Sequence, residues 1–330
     1  MARNHCLGYG ITLVIFMVMA GVAHAEKMYW TNAGDGSDPT NDRVQRAKAD
    51  GTMVETLVST GLDTPLDVAI DVASNSMYFT DADLQGRVLR ADLNGANVSI
   101  LVTEATAAPA FVAVDIAGGK IYWSVFANFP APDVIRRANL NGTSVETLVT
   151  FASGSSALGI AVDAAGGKLY WCDQGARRIQ RSNLNGTSIE TLITESSPRQ
   201  PIAIALDIPN GKMYWTDNGT PAIRRANLNG TSPQAIVTVG LDNPGGIEVD
   251  SASGKVYWSD AGTHKIRRAN LDGTAAQDLV TTGLLNLGGM AIDPTPDPVP
   301  TLGTWGLAIT ALFLLSSGTL ALRRREIARS

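Results

Sequence analysis

Cysteine is nearly missing from this sequence, with two residues in 330. Cys6 lies in the N-terminal apolar stretch, which leaves Cys172 alone in the body of the chain. A disulfide scaffold and a cysteine-based zinc site are therefore excluded. Histidine is equally scarce, because beyond residue 25 the sequence contains only His264. A metal site built from several histidines is excluded as well.

The chain also lacks an excess of positive charge. The formal net charge is −5, and residues 26–298 hold 21 Lys and Arg against 30 Asp and Glu, so we expect no nucleic-acid partner. A hydrophobic content of 45% excludes a disordered chain, and 15 prolines beside 33 glycines exclude collagen. The length allows two average domains or one large all-β domain.

Residues 1–25 have the layout of an export signal. Arg3 precedes the apolar stretch of residues 11–20, and Val22-Ala-His-Ala25 supplies small residues at a cleavage position. This pattern predicts a secretory signal peptide that is cut after Ala25. A membrane anchor is the alternative, which the short apolar stretch disfavours.

The C-terminal end predicts a membrane segment. Residues 294–300 form a proline-rich linker, which closely spaced prolines keep stiff and extended. In the tail, residues 301–330, Trp305–Leu322 is an uncharged run of 18 residues, long enough to cross a bilayer as a hydrophobic helix. The arginines that follow place this end in the cytoplasm and the body of the protein outside.

This tail resembles a known sorting signal. Val299-Pro-Thr-Leu-Gly-Thr-Trp-Gly306, the apolar run and the arginine cluster are similar to the IPTL-CTERM tail of Gram-negative bacteria, which is related in layout to the PEP-CTERM signals handled by exosortases. The resemblance implies an envelope protein, a sorting protease of the exosortase type, and cleavage near Pro300 and Thr301 before transfer to the surface. A plain C-terminal membrane anchor is the alternative. The sorting residues implied are Val299, Pro300, Thr301, Leu302, Trp305, Arg323, Arg324 and Arg325.

Between the two ends, one set of phrases recurs six times. A tetrapeptide such as Tyr214-Trp-Thr-Asp217 is preceded, in five repeats, by a phrase such as Val68-Ala-Ile-Asp71. It is followed by a phrase such as Leu89-Arg-Ala-Asp-Leu-Asn-Gly95 and by an apolar run such as Glu146-Thr-Leu-Val149. The six tetrapeptides begin at Tyr29, Tyr78, Tyr122, Tyr170, Tyr214 and Tyr257.

Each phrase reads as a β-strand, because it is short, rich in Val, Ile, Tyr, Trp or Thr, and bounded by Gly, Asn or Asp. Pairs such as Asn141-Gly142 predict two-residue hairpins in which both residues take positive φ. The unit is a four-stranded antiparallel meander of about 45 residues, which predicts a β-propeller blade.

The unmatched phrases at the two ends predict how the ring closes. The tetrapeptide at Tyr29 is not preceded by a phrase of the Val68-Ala-Ile-Asp71 type. The last phrase of that type, Gly289–Asp293, is not followed by a tetrapeptide. Joining them completes a sixth blade and hides two sheet edges. The fold class predicted is all-β, a six-bladed β-propeller over residues 26–293, in which the C-terminal innermost strand pairs with the N-terminal strands.

The six repeats resemble the YWTD, or LDL-receptor class B, propeller over residues 27–293. The resemblance implies a protein-binding ring, a module that this family uses in receptor ligand release, in signalling co-receptors and in basement-membrane contacts.

The repeated aromatic and acidic residues are interpreted as scaffold. Alternation along the strand places Tyr and Trp on opposite faces, where both fill the layers between blades. The Asp that ends a tetrapeptide is expected to accept backbone N–H groups. Paired arginines such as Arg136-Arg137 are expected to neutralise a carboxylate of the neighbouring blade. Besides the six tyrosines, these structural residues are Trp30, Trp123, Trp171, Trp215, Trp258, Asp81, Asp173, Asp217 and Asp260.

Function is expected where the repeat breaks. In the third repeat Val125 replaces the Asp, and a connecting loop with two Phe and two Pro follows. Such residues are enriched at interface centres, which predicts a contact patch; the alternative is a loop that folds its Phe side chains back onto the ring. The predicted patch is Phe126, Phe129, Pro130 and Pro132.

The first repeat breaks differently, with Asp35, Asp38 and Asp42 within eight residues. Three carboxylates are a candidate for binding Ca²⁺, although the spacing does not match an EF-hand, and a solvated loop is the alternative.

Together these features predict a non-enzymatic interaction module of the Gram-negative cell envelope that binds an envelope protein or glycan, with no cofactor other than the candidate Ca²⁺. The alternative is an exported, metal-dependent propeller enzyme of the lactonase or lyase type that works at the central channel. His264 alone supplies neither a general-base partner nor a multi-histidine metal site.

Overall fold

The computed structural model describes residues 27–34, 41–82, 85–105, 107–127, 131–293 and 295. The predicted signal peptide and the sorting tail, including the uncharged run 305–322, lie outside the described residues. Within the described part of the chain, no helix has the length and apolar character needed to span a membrane. The export signal, the C-terminal helix and the sorting residues therefore stay predictions.

The described residues form 24 strands. The first twelve are β1 (Lys27–Ala33), β2 (Arg43–Lys48), β3 (Glu55–Val58), β4 (Pro65–Asp71), β5 (Ser76–Asp81), β6 (Arg87–Asp92), β7 (Ser99–Thr103), β8 (Ala107–Asp115), β9 (Lys120–Ala127), β10 (Val134–Asn139), β11 (Glu146–Thr150) and β12 (Ala157–Asp163). The remaining twelve are β13 (Lys168–Asp173), β14 (Arg178–Asn183), β15 (Glu190–Thr194), β16 (Pro201–Asp207), β17 (Lys212–Asp217), β18 (Ala222–Asn227), β19 (Gln234–Val237), β20 (Pro244–Asp250), β21 (Lys255–Asp260), β22 (Lys265–Asn270), β23 (Gln277–Val280) and β24 (Asn286–Asp293).

The strands assemble into six four-stranded antiparallel sheets, as predicted. Blade 1 has the order β24-β1-β2-β3, and blades 2 to 6 each contain four consecutive strands, from β4–β7 to β20–β23. The first strand of each order is innermost, and these six strands contact one another in a closed circle that includes β20, β24 and β4. The prediction of an all-β six-bladed propeller is confirmed.

The ring closes through the pairing of the two ends of the described chain. Strand β24 lies antiparallel to β1, with Lys27 opposite Asp293, Met28 opposite Ile292, and Trp30 opposite Met290. Asn286 at the start of β24 donates its side-chain N–H to the Gly34 carbonyl at 2.9 Å. The predicted closure is confirmed in its register, and it leaves neither of the two strands with an unpaired edge towards the other.

Aromatic side chains fill the layers between blades. The five Trp and the Tyr of the tetrapeptides are at most 2% exposed. In five of the six core clusters the Tyr of one blade meets the Trp of the next, as Tyr122 of blade 3 meets Trp171 of blade 4, and between blades 1 and 2 Tyr29 meets Phe79. At the closure, Tyr257 of blade 6 packs in one cluster with Trp30 of blade 1. Because Tyr and Trp lie on opposite faces of a strand, every blade contributes to two layers, as the alternation predicted.

The acidic residue of the tetrapeptide holds the turn beside its strand. Asp217 Oδ1 accepts backbone N–H groups from Gln200 at 2.9 Å, Gly219 at 3.1 Å and Thr220 at 3.2 Å. Asp81, Asp173 and Asp260 accept backbone N–H groups in the same way. In blade 1 Asn32 takes this place, and its Oδ1 accepts the Leu285 N–H at 2.9 Å. The predicted structural role of these side chains is confirmed.

The two arginines of a pair contact different neighbouring blades. Arg136 meets Glu104 of the preceding blade, with 2.6 Å between Nη1 and Oε2, as predicted. Arg137 instead binds Glu146 of its own blade and donates to the Leu184 carbonyl of the following blade at 2.8 Å. The expectation that the paired arginines neutralise a carboxylate of the neighbouring blade is therefore wrong for the second arginine, because Arg137 pairs with a carboxylate of its own blade and reaches a backbone carbonyl of the next.

The Asn-Gly turns differ from the two-residue hairpins that the sequence predicted. In blade 3 Gly142 has a φ of 81°, whereas Asn141 is not among the residues with positive φ. The Asn139 N–H bonds to the Thr143 carbonyl at 2.9 Å, and the Gly142 N–H returns to the Asn139 carbonyl at 2.8 Å. Three residues thus form the loop, and only the glycine must take the left-handed conformation. The asparagine side chain accepts the Thr143 N–H at 3.1 Å.

The closure predicts a specific crosslink. The variant Lys27→Cys with Asp293→Cys should form a disulfide on oxidation and raise the midpoint of thermal unfolding, because the two residues are direct partners across β1 and β24. Non-reducing electrophoresis and a thermal melt measure both effects. The matched control is Lys27→Cys with Asp250→Cys, since Asp250 ends the innermost strand of blade 6 at the equivalent position. Equal crosslinking in both variants would contradict the strand pairing.

The aspartate turn predicts a graded loss of stability. Asp217→Ala removes the acceptor of three partly buried backbone N–H groups and should lower the free energy of unfolding by about 2 kcal/mol. Asp217→Asn should cost less than half as much, because Asn32 performs the same task in blade 1. Denaturant unfolding measures the two changes, and a milder effect for Ala than for Asn would refute this role.

Candidate functional site at the upper face and central channel

The blades present two different ends, and we call the upper face the end where each innermost strand begins and each second strand stops. Blade 3 departs from the others at this face. Its strands β8 and β9 have nine and eight residues, whereas blades 4 to 6 have seven and six in the same places. Two further residues per strand extend this hairpin by roughly 7 Å.

The extension changes the position of one predicted patch residue. Phe126 was expected in a connecting loop, but it lies in β9 opposite Ala108 of β8 and is half-buried. The loop prediction is wrong at this residue because the strands continue to pair beyond the tetrapeptide. Pro132 is exposed after the hairpin, and Phe129 and Pro130 lie outside the described residues. The structure therefore places Phe126 on the extended hairpin and Pro132 in the connection that follows β9, both at the upper face.

The missing aspartate of blade 3 is replaced by another. Val125 stands in its place, is 1% exposed, and packs in the cluster of Trp123. Asp133, just before β10, takes over the polar role and accepts the Ala127 N–H at 2.9 Å and the Ser156 hydroxyl at 2.7 Å. The break in the repeat is thus compensated by a residue eight positions later.

Asp42 is one of the three residues predicted to bind Ca²⁺. In blade 1 it has the same structural role that Asp133 has in blade 3. It lies just before β2, is 3% exposed, and its Oδ1 accepts the Gly34 N–H at 2.8 Å. Burial raises the pKa of this carboxyl, and the bond from Gly34 opposes the shift. Asp35 and Asp38 lie outside the described residues, so the calcium site stays a prediction. Within the described ranges no three His, Cys, Asp or Glu side chains come together as a metal site.

The central channel of the described ring is a cavity with a volume of about 250 Å³. All six innermost strands line it, and their side chains there are Ala, Val, Ile, Leu, Met and Phe, with glycine backbone between them. Two carboxylates interrupt this wall, Asp67 of blade 2 and Glu248 of blade 6. Among the described lining residues there is no Lys, Arg or His to balance them.

Glu248 is an exception to the repeat. It is the fifth residue of its innermost strand, and the other five blades carry alanine at the fifth residue or its equivalent. Those alanines are Ala69, Ala113, Ala161, Ala205 and Ala291. Sequence reasoning missed this residue, although the signal is visible where Ile247-Glu-Val-Asp250 stands beside Ile160-Ala-Val-Asp163.

The surroundings of Glu248 favour its neutral form. The side chain is partly exposed to the channel but has protein on every side. Burial raises the pKa of Glu248 to about 7, and a hydrogen bond from the Val249 N–H, 3.3 Å from Oε2, acts against the shift. A carboxylate in such a place is costly unless a positive charge joins it.

Asp67 lies nearer the upper face and joins three blades. Its Oδ2 accepts the Val112 N–H of blade 3 at 2.8 Å, and its own N–H donates to Thr80 at 3.1 Å. Its Oδ1 lies against Gly289 of blade 1, where a Cβ would come within 1.6 Å. Burial raises the pKa of Asp67 well above its usual value, and the charge of Glu248 adds to the shift.

Other buried glutamates show how this ring normally balances a charge. Glu104 accepts from the Trp123 indole at 2.9 Å and from Arg136 at 2.6 Å. Glu195 meets Arg199 at 2.8 Å and Arg224 at 3.3 Å. Both lie between blades and have an arginine. Among the described residues Glu248 has no such arginine partner. The channel is therefore the place where the described ring contains a glutamate without a counter-charge.

The two remaining reactive side chains lie away from the channel wall. Cys172 is fully buried in an interblade cluster with Trp215, and burial raises the pKa of its thiol well above the usual value. This agrees with the core position expected from the tetrapeptide. His264 lies in the turn between β21 and β22, with Nδ1 2.9 Å from the Leu285 carbonyl oxygen. Neither is placed to act on a group in the channel.

The raised pKa of Glu248 predicts a pH-dependent stability. The pKa of Glu248 is about 7 in the folded protein, against 4.5 in the unfolded chain, so folding favours the protonated side chain. The folded protein therefore loses stability as the pH rises and the side chain is deprotonated. Its cost therefore grows as the pH rises from about 4.5 through 7. Glu248→Ala should gain stability over the wild type across this window, by up to roughly 3 kcal/mol at pH 8.

Denaturant unfolding at pH 4.5 and pH 8 checks this difference. Ala161→Ser is a suitable control, because it changes an equivalent channel position without adding a charge. A stability gap between wild type and Glu248→Ala that does not change with pH would contradict the proposed electrostatic cost.

Comparison with known proteins supports the fold. No curated protein matches the chain. A crystal structure of a nidogen/laminin complex contains a chain with a TM-score of 0.69 and 20% identity, over 81% of this chain and 98% of that chain. The crystal structure of TolB from Acinetobacter baumannii has a TM-score of 0.66 and 13% identity, over 82% of this chain and 67% of that chain.

The repeats also match a family. The profile of the low-density lipoprotein receptor repeat class B matches residues 75–116, 167–208, 211–251 and 254–294, which together are half of the chain. Each segment begins at the tetrapeptide strand of one blade and ends after the innermost strand of the next. With six closed blades and these four matches, the chain belongs to the low-density lipoprotein receptor repeat class B family.

Proposed function

We propose that this protein is an exported, non-enzymatic protein-binding module of the Gram-negative cell envelope, and that its partner binds at the upper face. The observation that carries the proposal is the extended β8–β9 hairpin, which alters one blade at that face and leaves blades 4 to 6 with their regular lengths. A ring whose blades serve only packing has no need of such an extension.

The hairpin offers the chemistry of an interface. Phe126 is half-buried at its end, and Pro132 is exposed beside it. Aromatic residues are enriched at interface centres, where they bury a large area at a small cost in side-chain entropy. The predicted patch also includes Phe129 and Pro130, whose contribution stays part of the proposal.

A protein is the partner class that the comparisons favour over a glycan. The chain belongs to a family whose propellers bind proteins, as its resemblance implied, and one similar solved structure is a nidogen/laminin complex. The likeness is one of fold, at 20% identity, and does not carry the nidogen partner over to this chain. An envelope protein is therefore proposed on the class of module alone.

The proposed cellular location rests on the two ends of the sequence. A signal peptide over residues 1–25 supports export, and the IPTL-CTERM-like tail supports retention in the inner membrane and processing by a sorting protease of the exosortase type. The acidic body, with 30 Asp and Glu against 21 Lys and Arg in residues 26–298, favours basic surfaces of a partner.

The enzymatic alternative requires a different use of the channel. A lactonase or lyase of the propeller type needs several ligands that converge on a metal, and the described channel wall supplies two carboxylates. Hydrolysis of lactones that a chelator abolishes would favour the enzyme over the binding module.

The patch predicts a loss of partner binding. The full-length protein in neutral detergent, used as bait on an envelope extract, should capture a partner that is then identified and titrated against it. Phe126→Ser with Phe129→Ser should weaken that titrated affinity at least tenfold, because the variant removes two aromatic anchors.

The control is Ile116→Ser with Ile208→Ser, which removes exposed apolar side chains, 41% and 38% exposed, from turns at the opposite end of the ring. It should bind like the wild type. If both double variants bind the partner equally well while their thermal melts match the wild type, the upper-face patch is refuted.

A further inference from the structure

We propose that the central channel is a binding site for an organic cation of the alkylammonium class, with Glu248 as its counter-charge. The site does not depend on the β8–β9 hairpin, and it goes beyond the partner patch. The same chemistry is presented by the lysine side chain of a protein partner and by a free polyamine.

The first step is the position of Glu248. Five of the six innermost strands place an alanine methyl group at its level, and one places a carboxylate. A propeller scaffold gains nothing from this exchange, because the glutamate brings a desolvation cost that alanine avoids. The residue is therefore best explained by a ligand that meets it.

The second step is the missing countercharge. Both Glu104 and Glu195, which are more deeply buried than Glu248, have an arginine within 3.3 Å. Within the described ring Glu248 accepts a hydrogen bond from the N–H of its neighbour Val249 at 3.3 Å. Asp67, the other titratable group among the described lining residues, is also an acid and supplies no positive charge. The described channel wall thus presents two carboxyl groups and no side chain of opposite charge to balance them.

The third step is the shape and polarity of the cavity. Its volume of about 250 Å³ exceeds the ~150 Å³ of a cavity that accepts benzene, so it has room for an alkyl chain. Apolar side chains line the channel, with Phe111, Ile247 and Met290 among them, but more of the surface that faces the cavity is polar than apolar. The methylene groups of a ligand would contact these side chains, while its ammonium group meets the carboxylate.

The same features disfavour a metal ion. Calcium takes six to eight oxygen ligands and magnesium holds a full octahedron, whereas the wall offers two carboxylates on blades 2 and 6. A flexible chain with one terminal positive charge can contact both the apolar side chains of the wall and the glutamate that has no arginine partner. Lysine-like ligands match this combination more closely than a hydrated cation.

The proposal is tested with small probes on the full-length protein in neutral detergent. Isothermal calorimetry at pH 8 compares N-acetyl-lysine N-methylamide, spermidine, and the uncharged N-acetyl-norleucine N-methylamide. At least one ammonium probe should bind, and the norleucine probe, which has the same alkyl chain without the charge, should bind at least tenfold more weakly. Tighter binding of the lysine amide indicates a partner side chain, and tighter binding of spermidine indicates a free polyamine.

The variants isolate the carboxylate. Glu248→Gln keeps the shape and should weaken the better ammonium probe at least tenfold, while Asp67→Asn should weaken it less. Glu248→Ala combined with Ala161→Glu moves the carboxylate to an equivalent position in blade 4, and it should restore binding to within about tenfold of the wild type. Thermal melts establish that each variant is folded.

The pH profile supplies an independent readout. Protons compete with the cation at Glu248, so the affinity of the wild type should rise about 30-fold between pH 5.5 and pH 8, and this rise should vanish in Glu248→Gln. Failure of both ammonium probes to bind, equal binding of the norleucine probe, or an unchanged affinity in Glu248→Gln would overturn the proposal. None of these results bears on the Phe126 patch, which is tested with its own partner.

Discussion

The structure depends on the pairing of β24 with β1. Each blade is a four-stranded sheet with two apolar faces, and it can bury both only if a blade stands on either side. Blades in a linear array would leave two such faces in water. The antiparallel register that joins Lys27 to Asp293 removes both ends at once, and it places Trp30 against Tyr257 so that the last interblade layer is as full as the other five.

Within the closed ring, polar side chains are largely committed to the scaffold. Aspartates at the ends of strands accept backbone N–H groups, and arginines reach carbonyls of the next blade. Glu104 and Glu195 have arginines between blades. Against this background two departures stand out, the longer hairpin of blade 3 and the glutamate on the channel wall of blade 6. Both cost something that the regular blades avoid, and so both are candidates for contact with another molecule.

The sequence predicted regular elements well and their extensions poorly. Four strands per repeat, the register of the closure and the burial of the tetrapeptides followed from alternation and from counting phrases. The two-residue Asn-Gly hairpin was wrong, because the loop has three residues and takes positive φ at Gly142 but not at Asn141, while Ser144 just beyond the loop also has positive φ. Phe126 was expected in a loop, because the break in the repeat hides the fact that β8 and β9 continue to pair through Ala107 and Ala127.

The two parts of the candidate site also differ in how far the sequence could predict them. From residues alone one can see that blade 3 is irregular, since a local change in pattern appears in a local stretch of sequence. The environment of Glu248 could not be predicted from the sequence, because Ile247-Glu-Val-Asp250 does not show which residues surround the glutamate once six strands that are distant in sequence come together. The order of strands and their number are properties of the chain, set by short-range alternation and turn residues. The desolvation of Glu248, its lack of an arginine and the cavity beside it belong to the ring, because they arise from groups that are far apart in sequence and close only after it has closed.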